Sequence, residues 1–249
     1  MILSLAFLLM TAAEDPGADL GTRHIQAQHT QALRTQVDAR RLQTGEYTYR
    51  DSANGKVLGE SSISIRLEPS DSTYHFSVQT SGYFDQRWES VASPALTPIF
   101  AQLTFGKGSD QPAAFELHYA DDKVTGFALH RRSADPKAQV PVSATIDANT
   151  VDQRIDWATV MAIDLRKNRR FGFIVYDPIT GSSEVHARVS PPQRLDVQAG
   201  SFRVYAVTYS VKKPSGAERY VVYATASLPR FMVREDFPDG TTSELVKRR

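Results

Sequence analysis

The chain has 249 residues, 41% hydrophobic and 23% charged, enough to bury a sizeable core as a single domain. Its 29 basic and 28 acidic residues are interspersed and leave a formal net charge of +1, so nothing marks a phosphate-binding surface and nucleic acid is not an expected partner. Cysteine is absent, which excludes disulfides, thiolate nucleophiles, thiolate metal sites and a lipid-modified N-terminal cysteine.

The first thirteen residues, Met1 to Ala13, form a short apolar run ending in small residues, followed by the acidic Glu14-Asp15-Pro16. At roughly ten apolar residues the run is too short to span a bilayer. It has the form of a secretory signal cleaved near Ala13, although a positively charged start is missing, and it predicts an exported, periplasmic protein that does not span the membrane. Residues 14–43 are polar and rich in Gln, Arg and His, with Ile25, His29, Leu33 and Val37 at helical spacing. They read as a tether or marginal helix. His24 and His29, five apart, do not share a helical face and are not a metal pair.

From Gly45 onward the pattern is that of strands. Gly45 to Arg50 leads to Asn54-Gly55, the dipeptide that best suits a two-residue hairpin because both positions tolerate positive φ. In Val57 to Leu67, Ile63, Ile65 and Leu67 alternate with Ser62, Ser64 and Arg66, the signature of a half-buried strand. The rhythm recurs in Thr73 to Thr80, in Tyr83 to Val91, and in Phe115-Leu117-Tyr119, whose hairpin partner is Val124 to His130. The stretch Ala134 to Ala148, with Pro136 and Pro141, is a loop or a sheet edge.

Residues 150–167 change period. Thr150 and Gln153 have capping-box spacing, and Val151, Ile155, Ala158, Ala162 and Leu165 form a stripe at 3.6 residues per turn. Because Trp157, Val160, Met161 and Ile163 are also apolar, the helix is expected to be buried on more than one side. Strands resume with Phe171 to Tyr176, a turn at Pro178 to Gly181, and Glu184 to Val189. After Pro191-Pro192, Gly200 to Val246 reads as four strands broken at Pro214-Ser215-Gly216, Leu228-Pro229-Arg230 and Pro238-Asp239-Gly240. Tyr205, Val207, Tyr209 and Val211 lie on one face of the first and Phe202, Val204 and Ala206 on the other, so both faces are apolar and both need cover. The expected fold is mainly β, an antiparallel meander forming an open or closed barrel around one central helix at 150–167. The layout is a signal at 1–13, a tether at 14–43 and one domain at 44–249.

The helix at IDWATVMAIDLR, the phrase VQAGSFRVYAVTYSV, the strand ending ATASLPRFMVREDF and the closing PDGTTSELV resemble a family of exported bacterial β-rich proteins of unknown function. The resemblance covers Ile155 to Val246 and, more weakly, the N-terminal hairpins from Gly45, and the fold it implies is similar in outline to periplasmic lipoprotein-localisation carriers. It implies an antiparallel barrel around a helix and carries over no catalytic residues.

Motifs for catalysis are missing: there is no G-x-S-x-G elbow, no H-E-x-x-H and no phosphate-binding glycine loop. His75, His118, His130 and His186 fall on separate strands, and a carboxylate pair such as Glu235 and Glu244 is one choice among many. Arg230, after Pro229, could bind an anion or lock the strand end by bonding backbone carbonyls, and the lock is the favoured reading. No catalytic residue, metal ligand or cofactor is assigned. The favoured reading is a non-catalytic binding module, in which Tyr47, Tyr49, Tyr74, Phe76, Trp157, Tyr205, Tyr209 and Tyr223 line a site for a lipid or other apolar ligand. The same aromatics would equally fill a core. The alternatives are an envelope scaffold that binds another protein, and a polysaccharide hydrolase. An apolar cavity, an exposed apolar patch and a cleft with facing carboxylates would mark the three in turn.

Overall fold

The computed structural model describes residues 37–82, 85–106, 113–129, 139–166, 170–213 and 216–249. The signal sequence, most of the tether, His24, His29 and His130 lie outside them.

Among the described residues the chain forms sixteen strands, all in one sheet. The N-terminal half is a meander of β1 (Gly45–Ala53), β2 (Lys56–Glu68), β3 (Thr73–Ser81), β4 (Gln86–Ala92), β5 (Pro98–Phe105), β6 (Ala113–Ala120), β7 (Lys123–Leu129) and β8 (Gln139–Thr145). The C-terminal half comprises β9 (Thr150–Asp152), β10 (Arg170–Asp177), β11 (Gly181–Val189), β12 (Gln193–Val197), β13 (Gly200–Lys213), β14 (Gly216–Thr225), β15 (Met232–Asp236) and β16 (Thr241–Arg248). Pairing of β1 with β16 joins the halves, so the sheet runs from β8 through β1 and β16 to β9, with β12 added beside β13. Turn chemistry fixes this register where it was read: Asn54 and Gly55 both take positive φ, at 50° and 74°, as a two-residue hairpin requires. The Ala134 to Ala148 stretch supplies β8, an edge strand, and β5 and β12 are strands that the sequence reading passed over.

The helix expected at 150–167 is much shorter. Thr150 to Asp152 pairs with β10, and it does so in parallel, a departure from the otherwise antiparallel sheet. Asp152 caps a 3-10 turn at Gln153–Ile155 through Arg154 N, displacing the Thr150 capping box. The α-helix itself, α1, spans Asp156–Ala162, and every one of its residues is buried. Helical periodicity in the flanks gave way to tertiary pairing, for which β-branched Thr150 and Val151 are well suited. At the far end, Arg230 donates from Nη1 to the carbonyls of Met161 and Ile163, at 2.8 Å each, and Ile163 is already extended.

Among the described residues backbone pairing does not return from β9 to β8, so the sheet they form is not closed by hydrogen bonds. Side chains bring its two arms together instead. Leu103 on β5, Phe115, Leu117 and Tyr119 on β6, Val124 on β7, and Tyr176 on β10 form one buried cluster. Tyr119 Oη donates to Asp152 Oδ2 at 2.6 Å, and the Arg154 guanidinium lies 4.5 Å from the centre of the Phe115 ring. Arg154 also grips Asp152 and donates to Asp177 at 2.9 Å. Burial pulls its pKa down, but the adjacent Asp152 outweighs this and holds it charged.

Candidate functional site

The predicted ligand-lining residues come together, but as a packed core. Tyr47, Tyr49, Tyr74, Phe76, Trp157, Tyr205 and Tyr209 are all buried members of one apolar cluster that includes α1, and Tyr223 is half-buried against it. Their hydroxyls are engaged locally: Tyr49 donates to the Met232 carbonyl at 2.9 Å, Tyr47 to that of Gln43 at 2.7 Å, and Tyr223 to Asp236 at 3.1 Å. Rings stack within the cluster, Tyr47 on Phe231 at 5.8 Å and Tyr209 on Tyr220 at 5.0 Å. Around these residues aromatic side chains occupy the interior with rings and aliphatic groups in contact.

A polar knot lies where α1 begins. Tyr209 Oη is 3.3 Å from Asp156 Oδ1 and 3.2 Å from Glu235 Oε1, and all three residues are buried. One hydroxyl has one proton, so it donates to one carboxylate and the second contact is satisfied when the other acid carries its own proton. Glu235 is that acid: burial, then the neighbouring Asp156, push its pKa well above the usual carboxylate range. Nearby Asp51 accepts from Ser243 at 2.6 Å and from Ser61, and its pKa is also raised by burial. Glu235 pairs in register with Ser243 whereas Glu244 pairs with Arg234, so Glu235 and Glu244 point to opposite faces of the sheet and cannot act as a pair. Among the described residues no three His, Asp or Glu side chains converge as a metal site; His118 and His186 are exposed, each beside a glutamate two residues away on its own strand.

The feature that sequence reasoning missed is the inward face of β4. Here Gln86, Trp88 and Ser90 follow one another at every second position, which places all three side chains on one face of the strand. That face is interior: register sets Gln86 between Thr80 and Phe105, Trp88 between Val78 and Leu103, and Ser90 between Phe76 and Ala101. Gln86 is 1% exposed and Ser90 2%. Among the described residues neither amide atom of Gln86, nor Trp88 Nε1, nor Ser90 Oγ has a hydrogen-bond partner. Leaving such groups buried and unpaired costs about 1–3 kcal/mol each, so folded proteins seldom do it without a use. Trp88, half-buried, packs against both the main cluster and the seam cluster, so this row lies at their junction. The 3-10 turn before α1 lies against β4, and Trp157 meets Phe76 edge-on at 6.2 Å. Two predicted ligand residues, Phe76 and Trp157, therefore border the row.

One signal in the sequence pointed here. Along Asp85 to Ala92 the charged residues Asp85, Arg87 and Glu89 share one parity, so the outward face is theirs and Gln86 and Ser90 must turn inward with Trp88. An open groove of about 490 Å³ is lined by Pro192 and by residues of β12 and β13. Arg194 and Arg203, both in its lining, are paired in register on these neighbouring strands, and Arg194 bonds the exposed Asp196 at 3.1 Å.

A family model described as a protein of unknown function, DUF3108, matches residues 46–246. No curated protein matches the chain. Among solved structures, a β-barrel-like protein of the domain of unknown function DUF1849 from Brucella abortus is similar at 11% identity and a TM-score of 0.56, over 84% of this chain and 98% of that one. The two share a fold. A protein from Bacteroides fragilis described as exported, with a YmcC-like fold, aligns over 86% and 99% at 11% identity with a TM-score of 0.36. One from Parabacteroides distasonis described as a lipoprotein aligns over 86% and 99% at 10% identity with a TM-score of 0.33.

Proposed function

The chain belongs to the DUF3108 family of proteins of unknown function, and from its interior we propose that it is an exported, non-catalytic binding module for an apolar, lipid-like ligand. The observation that carries this reading is the junction at β4, where an unsatisfied polar row is set between two apolar clusters, with Trp88 packed against both. A ligand with a long apolar part and a small polar part matches such a lining, which has hydrogen-bonding groups on one strand and aliphatic and aromatic surface to either side. The absence of catalytic roles is supported by the buried acids: Asp156 and Glu235 are tied to Tyr209 inside the core rather than set facing one another across a cleft.

Export rests on the sequence of Met1 to Ala13. Intact-mass analysis of the protein from its own cells should show a mature chain that begins at Glu14; a soluble cytosolic form that retains Met1 would remove the export claim.

Binding is testable with the protein's own fluorescence, because its two tryptophans are Trp88 and Trp157, both at the proposed site. Titration with monoolein below its aggregation threshold should shift tryptophan emission saturably, and Trp88→Phe should remove most of the shift. An unchanged spectrum, with no lipid taken up, would contradict the reading.

A further inference from the structure

We infer that the β4 row recognises a neutral carbonyl-bearing head group, of the ester kind found in acylglycerols, and discriminates against a charged one. The inference rests on the binding-module reading and specifies what that site accepts. Its basis is the chemistry of the unpartnered atoms. Gln86 Nε2 offers two N–H donors, Trp88 Nε1 one and Ser90 Oγ one, whereas Gln86 Oε1 and Ser90 Oγ are the acceptors. With four N–H and O–H hydrogens against four lone pairs on its two oxygens, the row is neutral and balanced, and it matches a neutral ligand that both accepts and donates, which describes an ester flanked by a hydroxyl.

Spacing agrees with this. Alternate residues on one strand face are about 6.6 Å apart, so the row extends over about 13 Å, the span of a small glycerol ester rather than of a single hydroxyl. Nothing in the row is charged. The nearest fixed cation on the turn against β4, Arg154, is already committed to Asp152 and Asp177. An ionised carboxylate or phosphate would lose its hydration at Gln86, 1% exposed, with no counter-charge to replace it. The flanking positions, Phe76 and Val78 on β3 and Ala101 and Leu103 on β5, are apolar and match in character an acyl chain beside the head group.

The experiment compares two probes of equal chain length, monoolein and oleate, at about pH 8, where the oleate carboxyl is ionised. Binding is followed by tryptophan emission and by calorimetry. Wild type should bind monoolein about tenfold more tightly than oleate or better, because a neutral ester satisfies the donors without a desolvated charge. Gln86→Leu should abolish that preference by weakening monoolein alone, and Ser90→Ala should weaken monoolein about fivefold. Gln86→Leu should also raise the melting temperature of the unliganded protein, since it removes two unpaired buried atoms; lowered stability would identify Gln86 as a core residue satisfied within the fold and overturn the inference. Equal affinity for the two lipids, or a preference that survives in both variants, would overturn it while leaving the binding module standing. Failure of both probes to bind would sink the module reading and this one with it.

Discussion

Arg230 and Glu235 show how much a single buried ionisable group can be asked to do. Arg230 was legible in sequence as a strand-end lock, because a guanidinium next to a proline step has several donors and little room, and it bonds the last carbonyls of α1 as expected. Its pKa is pushed down to about 10, chiefly by burial and then by Arg41. Replacement by Met would leave the carbonyls of Met161 and Ile163 unpaired in the core and should cost about 2–5 kcal/mol, read from urea unfolding; a loss below about 1 kcal/mol would refute the lock. Glu235 was not legible, since one glutamate in a strand of mixed character looks like any other. Its raised pKa means that the folded state resists ionisation, so its contribution to stability is fully present below the ordinary carboxylate range near pH 4.3 and is lost as pH climbs through the folded value. The urea midpoint of Glu235→Gln, neutral at every pH, should therefore gain on wild type as pH rises above the ordinary carboxylate range, and parallel curves would place the charge elsewhere.

At the scale of elements, alternation and turn dipeptides disclosed most strands, and the errors share a cause. Residues 150–152 and 163–166 carry an apolar pattern compatible with a helix, but Thr150 and Val151 pair with β10 and Arg230 caps α1 early, so tertiary contacts set both boundaries. The inward face of β4 escaped notice because Gln86 and Ser90 read as polar and hence outward, while the decisive clue, the charged parity of Asp85, Arg87 and Glu89, lies on the other face. The seam between the sheet's arms was invisible to any local reading, since Tyr119 and Asp152 are 33 residues apart. Arg154→Met tests that seam: it strands Asp152 without its cation and should cost about 3–5 kcal/mol, with hydrogen-exchange protection lost first at β9. Protection at β9 equal to that of wild type would mean that the apolar cluster alone holds the arms together.

For the whole molecule, the mainly β, antiparallel architecture expected from sequence is observed as one open sheet whose described ends meet through side chains, whereas the central helix expected at 150–167 is reduced to the short α1. The aromatic residues singled out in the sequence make the packed wall of this interior, and the polar row on β4 is where that interior carries unpaired polar atoms. The most direct test of the binding role is native mass spectrometry, with lipid extraction, on protein purified from its own envelope fraction without detergent. A co-purifying neutral acyl species at one per chain, displaced in Trp88 and Gln86 variants, is the predicted result. An apo mass that stays unchanged after incubation with monoolein would contradict the account.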